Sequence, residues 1–373
     1  MTLWLGPMVA VPAPQPIVEA LSSVEVTLSD EGRDAFQLSF TLGRGTTDLV
    51  DYPLLANPLL RPFTRVIVQV WLGPVPEVLI DGFITRHQIN PSNEPGASTL
   101  TVTGEDIRVM MDLHEVSMSF PVMSSDVRVR LILAKYAMYL AALPMVIPPI
   151  PAQVPLIIEQ IPAQSSTDLT YIQTLARDAG YVFYVEPTPV PMVNLAYWGP
   201  DQRASFPQSA LSINAGPDTN VESLNFSYDG LRPTTVLGLI QEPSTGVPVP
   251  VFTLVSTHIP LAPFPATLVQ QPNVRSVLAH QSGGLDVAQA FAQAQAMTDN
   301  SADALTADGE LDALRYGHLL RARKIVSVRG AGFLLDGFYY VKRVTHKIKK
   351  GEYKQSFSLA REGFGALSPV VVP

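Results

Sequence analysis

The residues best suited to acid–base or metal chemistry near neutral pH are six histidines: His87, His114, His258, His280, His318 and His346. No two stand three or four residues apart, so no helix can offer a pair to a metal ion. His346 falls on an apolar strand face and reads as a satisfied core or interface histidine. Two carboxylate pairs, Glu105 with Asp106 and Asp299 with Asp303, have the chemistry of a glycoside hydrolase. Glu105 and Asp106 stand where they would cap the following helix, and Asp299 and Asp303 read as a solvated face. There is no nucleophile elbow, phosphate-binding loop or dinucleotide fingerprint. Gly43-Arg44-Gly45 and Ser282-Gly283-Gly284 read as turns. With no cysteine, the chain lacks disulfides, thiolate metal sites and cysteine nucleophiles. No catalytic residue, cofactor or metal is expected, and a non-enzymatic role follows.

Composition points the same way. Of 373 residues, 47% are hydrophobic and only 16% charged. A chain so poor in surface charge is expected to have part of its surface covered by other subunits. The net charge of −8 disfavours dedicated nucleic-acid binding. The densest basic cluster, Lys342-Arg343 with Lys347, Lys349 and Lys350, reads as a solvated hairpin tip. Met1 to Pro16 lacks a basic start and does not read as a secretory signal. The most apolar run, Tyr136 to Pro151, is too short and proline-rich for a membrane-spanning segment.

The elements that carry these residues are mostly strands, and they come twice. Leu79-Ile80-Asp81-Gly82-Phe83 and Leu334-Leu335-Asp336-Gly337-Phe338 each follow a Val/Ile-rich strand. Each leads into another strand, a Gly-bearing turn at the same offset (Gly96, Gly351) and a final strand. The Asp-Gly of each copy reads as a tight turn, with Phe83 and Phe338 anchoring the next strand in the core. Residues 22 to 44 form a hairpin, and Val221–Tyr228 with Thr234–Ile240 echo it. In the closing hairpin Phe338, Tyr340, Val344, His346 and Ile348 are expected on one face, and Tyr353, Phe357 and Leu359 on one face of the partner strand. Between the copies, 124 to 143 is helical, Pro144 to Pro162 runs extended, and a helix from Asp168 stops at Ala179-Gly180. Tyr181–Val185 then pairs with Val193–Tyr197. An alanine-rich helix runs from Leu285 to about Asp299.

These residues resemble a family. Gly332-Phe333-Leu334-Leu335-Asp336-Gly337-Phe338-Tyr339-Tyr340-Val341-Lys342-Arg343-Val344-Thr345-His346, then Gly351-Glu352-Tyr353, then Phe357-Ser358-Leu359-Ala360-Arg361, is similar to the end of contractile-tail hub proteins. These include myophage baseplate hubs, late-control D proteins of phage tails, the hub part of type VI secretion spike proteins and the hubs of extracellular contractile injection systems. Asp168 to Tyr181 resembles their middle helix, and Leu100 to Asp106 the exit from their first barrel. The resemblance covers about residues 20 to 365. It implies a mainly β fold with an α+β middle region and two tail-tube-like antiparallel barrels in one chain. The domains expected are an extension (1–19), a first barrel (20–113), a middle domain (114–219), a second barrel (220–245 and 318–365) split by an insertion (246–317), and a tail (366–373).

The resemblance further implies a homotrimer, a pseudo-hexameric ring that joins a hexameric tail tube to a trimeric spike and lines the channel. No spike repeat follows the second barrel, so the spike is expected to be a separate polypeptide, and the apolar run 367–373 reads either as a frayed end or as a strand docking to the spike or a neighbour. Other baseplate proteins are expected partners, with DNA or protein cargo passing without specific binding. Assembly is expected in the bacterial cytoplasm, as part of a virion tail or injection particle. The alternatives are another tube-initiator or baseplate adaptor, or an unrelated β-rich carbohydrate-binding module. The last needs exposed aromatic platforms, and the only tryptophans are Trp4, Trp71 and Trp198.

Overall fold

The structure, a computed structural model, describes all residues except 31, 44–51, 95, 150–160, 242–245, 271, 279–286 and 368–373. His280, most of the Gly43-Arg44-Gly45 and Ser282-Gly283-Gly284 turns, much of the proline-rich connector and nearly all of the C-terminal tail lie outside the described residues.

Ten strands form two copies of one unit. In the first copy they are β1 (Leu21–Ser29), β2 (Ala35–Leu42), β3 (Arg65–Val70), β4 (Glu77–Asn90) and β5 (Ser98–Asp106). In the second they are β6 (Val221–Tyr228), β7 (Leu305–Asp312), β8 (Ile325–Arg329), β9 (Gly337–Lys349) and β10 (Glu352–Arg361). The spatial order is β1-β2-β5-β4-β3 in one and β6-β7-β10-β9-β8 in the other, all antiparallel.

The copies share their irregularities too. Each first strand bulges at its second residue, Ser22 and Glu222, and each fourth strand bulges at Thr85 or Lys342. A bulge inserts one unpaired residue and sharpens the local twist, so matching bulges mean matching curvature. Alternate residues of each strand then point inward. Phe36, Leu38, Phe40, Val66, Val68, Ile84, Leu100 and Val102 fill one core. Val221, Leu305, Leu311, Val326, Val328, Tyr339, Val341, Val344, Phe357 and Leu359 fill the other. β3 is buried on both faces because Ile67 packs outward under Trp4, Ala10 and Met192.

The hairpin expected between 221–228 and 234–240 does not form. β6 pairs with β7 instead. The strand Thr234–Gln241 belongs to a small separate sheet with Pro248–Thr253 and Arg275–Leu278, backed by the helix α3 (Val287–Ser301) through Val236, Val251 and Ala294. The insertion thus occupies the position of the short β1–β2 loop. Thr234–Gln241 is the next strand-like stretch in the sequence, whereas the true partner lies more than seventy residues beyond β6, so local pattern alone could not name it.

The middle region differs in detail from expectation. Its first helical stretch is broken, with α1 (Ser125–Ala134) followed by one turn at Ala137–Leu140 that ends at Ala141 with φ 56°. The second helix, α2 (Asp168–Asp178), is capped by Thr167 Oγ1, which accepts from Thr170 N, and stops at Gly180 with φ 67°. Its stripe of Leu169, Ile172, Leu175 and Ala176 packs on Val129, Ile132 and Trp198. Val182–Pro187 and Asn194–Gly199 pair antiparallel. No helix among the described residues is long and apolar enough to cross a membrane.

Candidate functional site

The two units meet strand to strand. After its bulge, β9 pairs antiparallel with β1 from Arg343 opposite Ser29 to Lys349 opposite Ser23. The Thr27 and Thr345 hydroxyls lie 3.1 Å apart across this seam. The corresponding half of β4, Arg86–Asn90, pairs only with β5 among the described residues, and most of it is exposed. β6, the counterpart of β1, pairs only with β7 among the described residues. The chain therefore carries one filled seam and the two halves of a second one: β6 is the last strand at one end of the main sheet, and the Arg86–Asn90 half of β4 runs on past its pairing with β3. An open strand edge is a template for pairing with another chain.

Buried ion pairs fix how the parts sit. Arg65 donates to both carboxylate oxygens of Asp81 at 2.7 Å, and Asn194 Nδ2 donates to Asp81 Oδ2 at 2.9 Å. The same guanidinium reaches the Met8, Tyr139 and Met192 carbonyls, so one ion pair ties the N-terminal segment and the middle region to the first unit. A second joint links all three parts. Arg108, at the start of the middle region, grips Asp106 and the Phe183 carbonyl, while Asp106 accepts the Asp34 N–H. Arg323 of the second unit pairs with Asp34 at 2.5 Å and lies 4.5 Å from the centre of the Tyr184 ring. Burial pushes the Asp34 carboxyl up, against the pull of Arg323 and Arg108. Burial opposes the Arg323 charge, but Asp34 outweighs it and leaves its pKa raised. Losing either partner would strand a charge in the interior.

The two Leu-x-Asp-Gly-Phe copies do different work. Asp81 and Gly82 lie within β4 and not in the turn expected from Asp-Gly. A Cβ on Gly82 would stand 2.1 Å from the Glu105 carbonyl oxygen, so glycine there serves close strand approach. In the second copy a turn at Gly332–Leu335 does precede the strand. Gly337 opens β9 at φ 124°, and Asp336 Oδ1 accepts the Ala331 N–H at 2.7 Å. Arg361 donates to the carbonyls of Leu334, Asp336 and Gly365 and lies 4.3 Å from the centre of the Tyr339 ring. Phe83 and Phe338 do not enter their units' cores. Phe83 packs on Ile107, Val109 and Tyr139, and Phe338 on Leu261, Ile325 and Tyr340.

The single face expected for β9 is split. The bulge at Lys342 flips the alternation, so Tyr339, Val341 and Val344 share the core while Phe338 and Tyr340 face the insertion. His346 is fully buried at the seam, its Nδ1 within 2.9 Å of the Tyr353 hydroxyl and 3.3 Å of Gln355 Nε2. Burial, with a smaller contribution from Arg321, lowers its pKa to about 3. Gly96 and Gly351 adopt φ 79° and 81° in matching turns. Phe357 belongs to the second core. Tyr353 packs against the first, on the seam.

Of the carboxylate pairs, Asp106 does cap the following turn, accepting from Arg108 N at 2.7 Å, and Glu105 meets Arg33 at 2.8 Å. Asp299 and Asp303 are not solvated. Asp299 accepts from Ser256, Thr257 and Gln295, and Asp303 holds Arg203 with two bonds of 2.9 and 2.8 Å. No group of three or more metal-ligating side chains comes together among the described residues. Trp71 lies beyond the end of β3 and is half exposed. Arg65, Arg108, Arg203 and Arg323, which hold the parts together, were not singled out in the sequence. A lone Arg heading the otherwise apolar Arg65–Val70 strand was the available signal.

The overall fold is found in solved structures. A 43 kDa tail protein of prophage MuSo2 from Shewanella oneidensis superposes with TM-score 0.66 and 14% identity, over 97% of this chain and 99% of that one. The chain has the fold of phage tail proteins. A tail protein of Neisseria meningitidis MC58 gives TM-score 0.62 and 12% identity over 98% and 97% of the two chains. A type VI secretion component of E. coli, described as similar in structure to the bacteriophage T4 tail proteins gp27 and gp5, gives 0.55 and 11% over 95% and 77%. No family model and no curated protein sequence matches. The tail-protein fold is thus visible in the backbone at identities too low for sequence comparison to register.

Proposed function

We propose that the chain is a structural, non-enzymatic hub of a phage tail baseplate or contractile injection machine. It works as a homotrimeric, pseudo-hexameric ring that joins a hexameric tail tube to a separate trimeric spike. The observation that carries this reading is the filled β9–β1 seam together with the open edges of β4 and β6. Transposing the seam through the duplication sets Arg86 opposite Asp229, Gln88 opposite Ser227 and Asn90 opposite Asn225 of a neighbour. Repeating one head-to-tail contact closes a ring when the rotation allows it. Two units per chain make three chains equivalent to six subunits, which suits a sixfold tube on one side and a threefold spike on the other.

The face of the sheet turned away from the cores fits a channel wall. It is set with the polar side chains of Thr27, Gln37, Ser39, Thr101, Thr103, Thr306, Ser356 and Ser358, and on β9 with Arg343, Lys347 and Lys349. Its charges are largely paired locally, as in Lys347 with Glu310 and Lys354 with Glu222. DNA or protein would pass without specific binding. Assembly in the bacterial cytoplasm and contacts with other baseplate proteins belong to the same reading.

Exclusion chromatography with light scattering tests it. The expected mass is three times the 40.4 kDa of one chain, with six-lobed rings by negative-stain microscopy. A chain that stays monomeric even with tube and spike proteins present would sink the proposal.

A further inference from the structure

The insertion is fastened to the second unit around a cavity of about 230 Å3, with Arg203, His258 and Glu362 among apolar walls that include Pro260, Leu268 and Ala302. Glu362 directly follows β10 and is 7% exposed. Its Oε1 accepts the Leu261 and Ala262 N–H groups at 2.5 and 2.7 Å. Its Oε2 is buried and has no hydrogen-bond donor among the described residues. Arg203 does not supply one. Nη1 lies 3.9 Å from that oxygen, and the guanidinium is already committed to Asp201 at 2.7 Å and to Asp303. His258 Nε2 stands 3.7 Å from Asp201, beyond hydrogen-bond distance, and its buried Nδ1 has no hydrogen-bond partner among the described residues. Lys342 lies 3.8 Å from Asp303, and the neighbouring Arg361 acts on Glu362 through space, but neither donates to the free Glu362 oxygen.

An unsatisfied carboxylate oxygen and an unpartnered imidazole nitrogen in an apolar pocket call for a donor that is positive at its tip and aliphatic along its stem. We propose that this cavity binds an alkylammonium group, with the ammonium on Glu362 Oε2 and the methylene stem along Pro260 and Leu268. The group has two sources of the same chemistry, a lysine side chain of an adjoining polypeptide or a free polyamine. Leu268 is itself more than half exposed, so the stem can enter past it. The site is distinct from the strand edges of the ring and stands or falls apart from them.

Calorimetry on the full chain with n-pentylamine tests the site, with n-pentanol as the neutral control. Saturable binding of one amine per chain is expected, with pentanol at least about tenfold weaker because a charge-assisted bond is lost. Glu362→Gln keeps the acceptor for the two backbone N–H groups and is expected to lose about the same factor. Leu268→Trp, which fills the mouth without touching the carboxylates, is expected to block entry while leaving the melting curve in place. Binding of Nα-acetyl-lysine amide would assign the site to a protein lysine, and binding of spermidine in its stead to a free polyamine. Absence of pentylamine binding at millimolar concentration, equal binding of pentanol, or undiminished binding by Glu362→Gln would each overturn the proposal.

Discussion

Gly104 lies directly opposite Phe36 across β5 and β2, and a Cβ built on the glycine would stand 2.2 Å from the Phe36 ring. The second unit makes a like contact two residues along the same strand pair, with the partners exchanged. Gly309 on β7 faces Phe357 on β10, and its Cβ would meet that ring at 2.5 Å. Each unit thus lays one aromatic ring over one bare backbone position, from opposite strands. Gly104→Ala also meets the Phe83 carbonyl oxygen at 2.3 Å, so neither neighbour can simply turn aside. Its expected cost is about 1–3 kcal/mol of overpacking, read as a lowered urea midpoint with unchanged slope. A midpoint equal to that of the parent would mean that the rings move freely, contrary to this packing.

The Arg65–Asp81 pair yields a second prediction. Both side chains are almost wholly buried, and the guanidinium spans three parts of the chain. Asp81→Asn leaves a buried cation half satisfied and is expected to cost about 3–5 kcal/mol. Replacing both residues, Arg65→Met with Asp81→Leu, removes the stranded charge and is expected to recover most of that loss. The double variant also loses the carbonyl contacts of Arg65, so limited proteolysis near Met8 and Met192 should accelerate even where global stability returns.

Much of the first unit was legible because its signals are local. Val24 to Leu42 alternates apolar and polar residues about a short turn, and the observed hairpin pairs Val24 with Leu38 and Val26 with Phe36. The helix from Asp168 carried its cap and its glycine stop in sequence. What the sequence hid was non-local. Nothing in Val221–Tyr228 says that its partner lies beyond the insertion, because Thr234–Gln241 follows it directly and competes as a strand. One extra residue at Lys342 reverses which side chains of β9 face the core, and a bulge has no reliable sequence mark. Asp-Gly read as a turn at Asp81, where tertiary pairing with Arg65 and Asn194 holds the backbone extended. The arginine joints were missed because a charged residue reads as surface until its buried partner is known.

His346 gives the chain a stability that fades on acidification. In the unfolded chain the imidazole takes a proton near its ordinary pKa of 6.5, and in the folded chain burial delays it to about 3. A lowered pKa means the unfolded state binds the proton first. The stabilisation is therefore complete above about pH 6.5 and declines as the pH falls towards 3, by up to about 1.4 kcal/mol per unit. His346→Gln keeps a polar group against Tyr353 and Gln355 and removes the titration. The parent is expected to lose about 2 kcal/mol more than the variant between pH 7.5 and 5, measured by urea unfolding at each pH. Parallel losses in the two proteins would show that other groups carry the acid response.

The seam between chains can be tested by chemistry that the protein itself lacks. Thr27 and Thr345 touch across the internal seam, and their counterparts through the duplication are Ser227 and Gln88. If the open edges of β6 and β4 pair between chains in the same register, Gln88→Cys and Ser227→Cys come face to face within disulfide reach. The chain has no native cysteine, so no other bond competes. Mild oxidation of the double variant should give covalent dimers and then trimers on non-reducing gels, with the ladder stopping at three. Either single variant should stay at one chain. Thr27→Cys with Thr345→Cys should link within the chain and shift its mobility without raising its mass, which checks that the chemistry works in this geometry. A shift of the pair by one residue, Ile89→Cys with Ser227→Cys, moves one thiol to the other face of the sheet and should abolish the ladder. Cross-linking of the shifted pair at the same rate would refute the register, because it would show edges that meet by collision instead of by pairing.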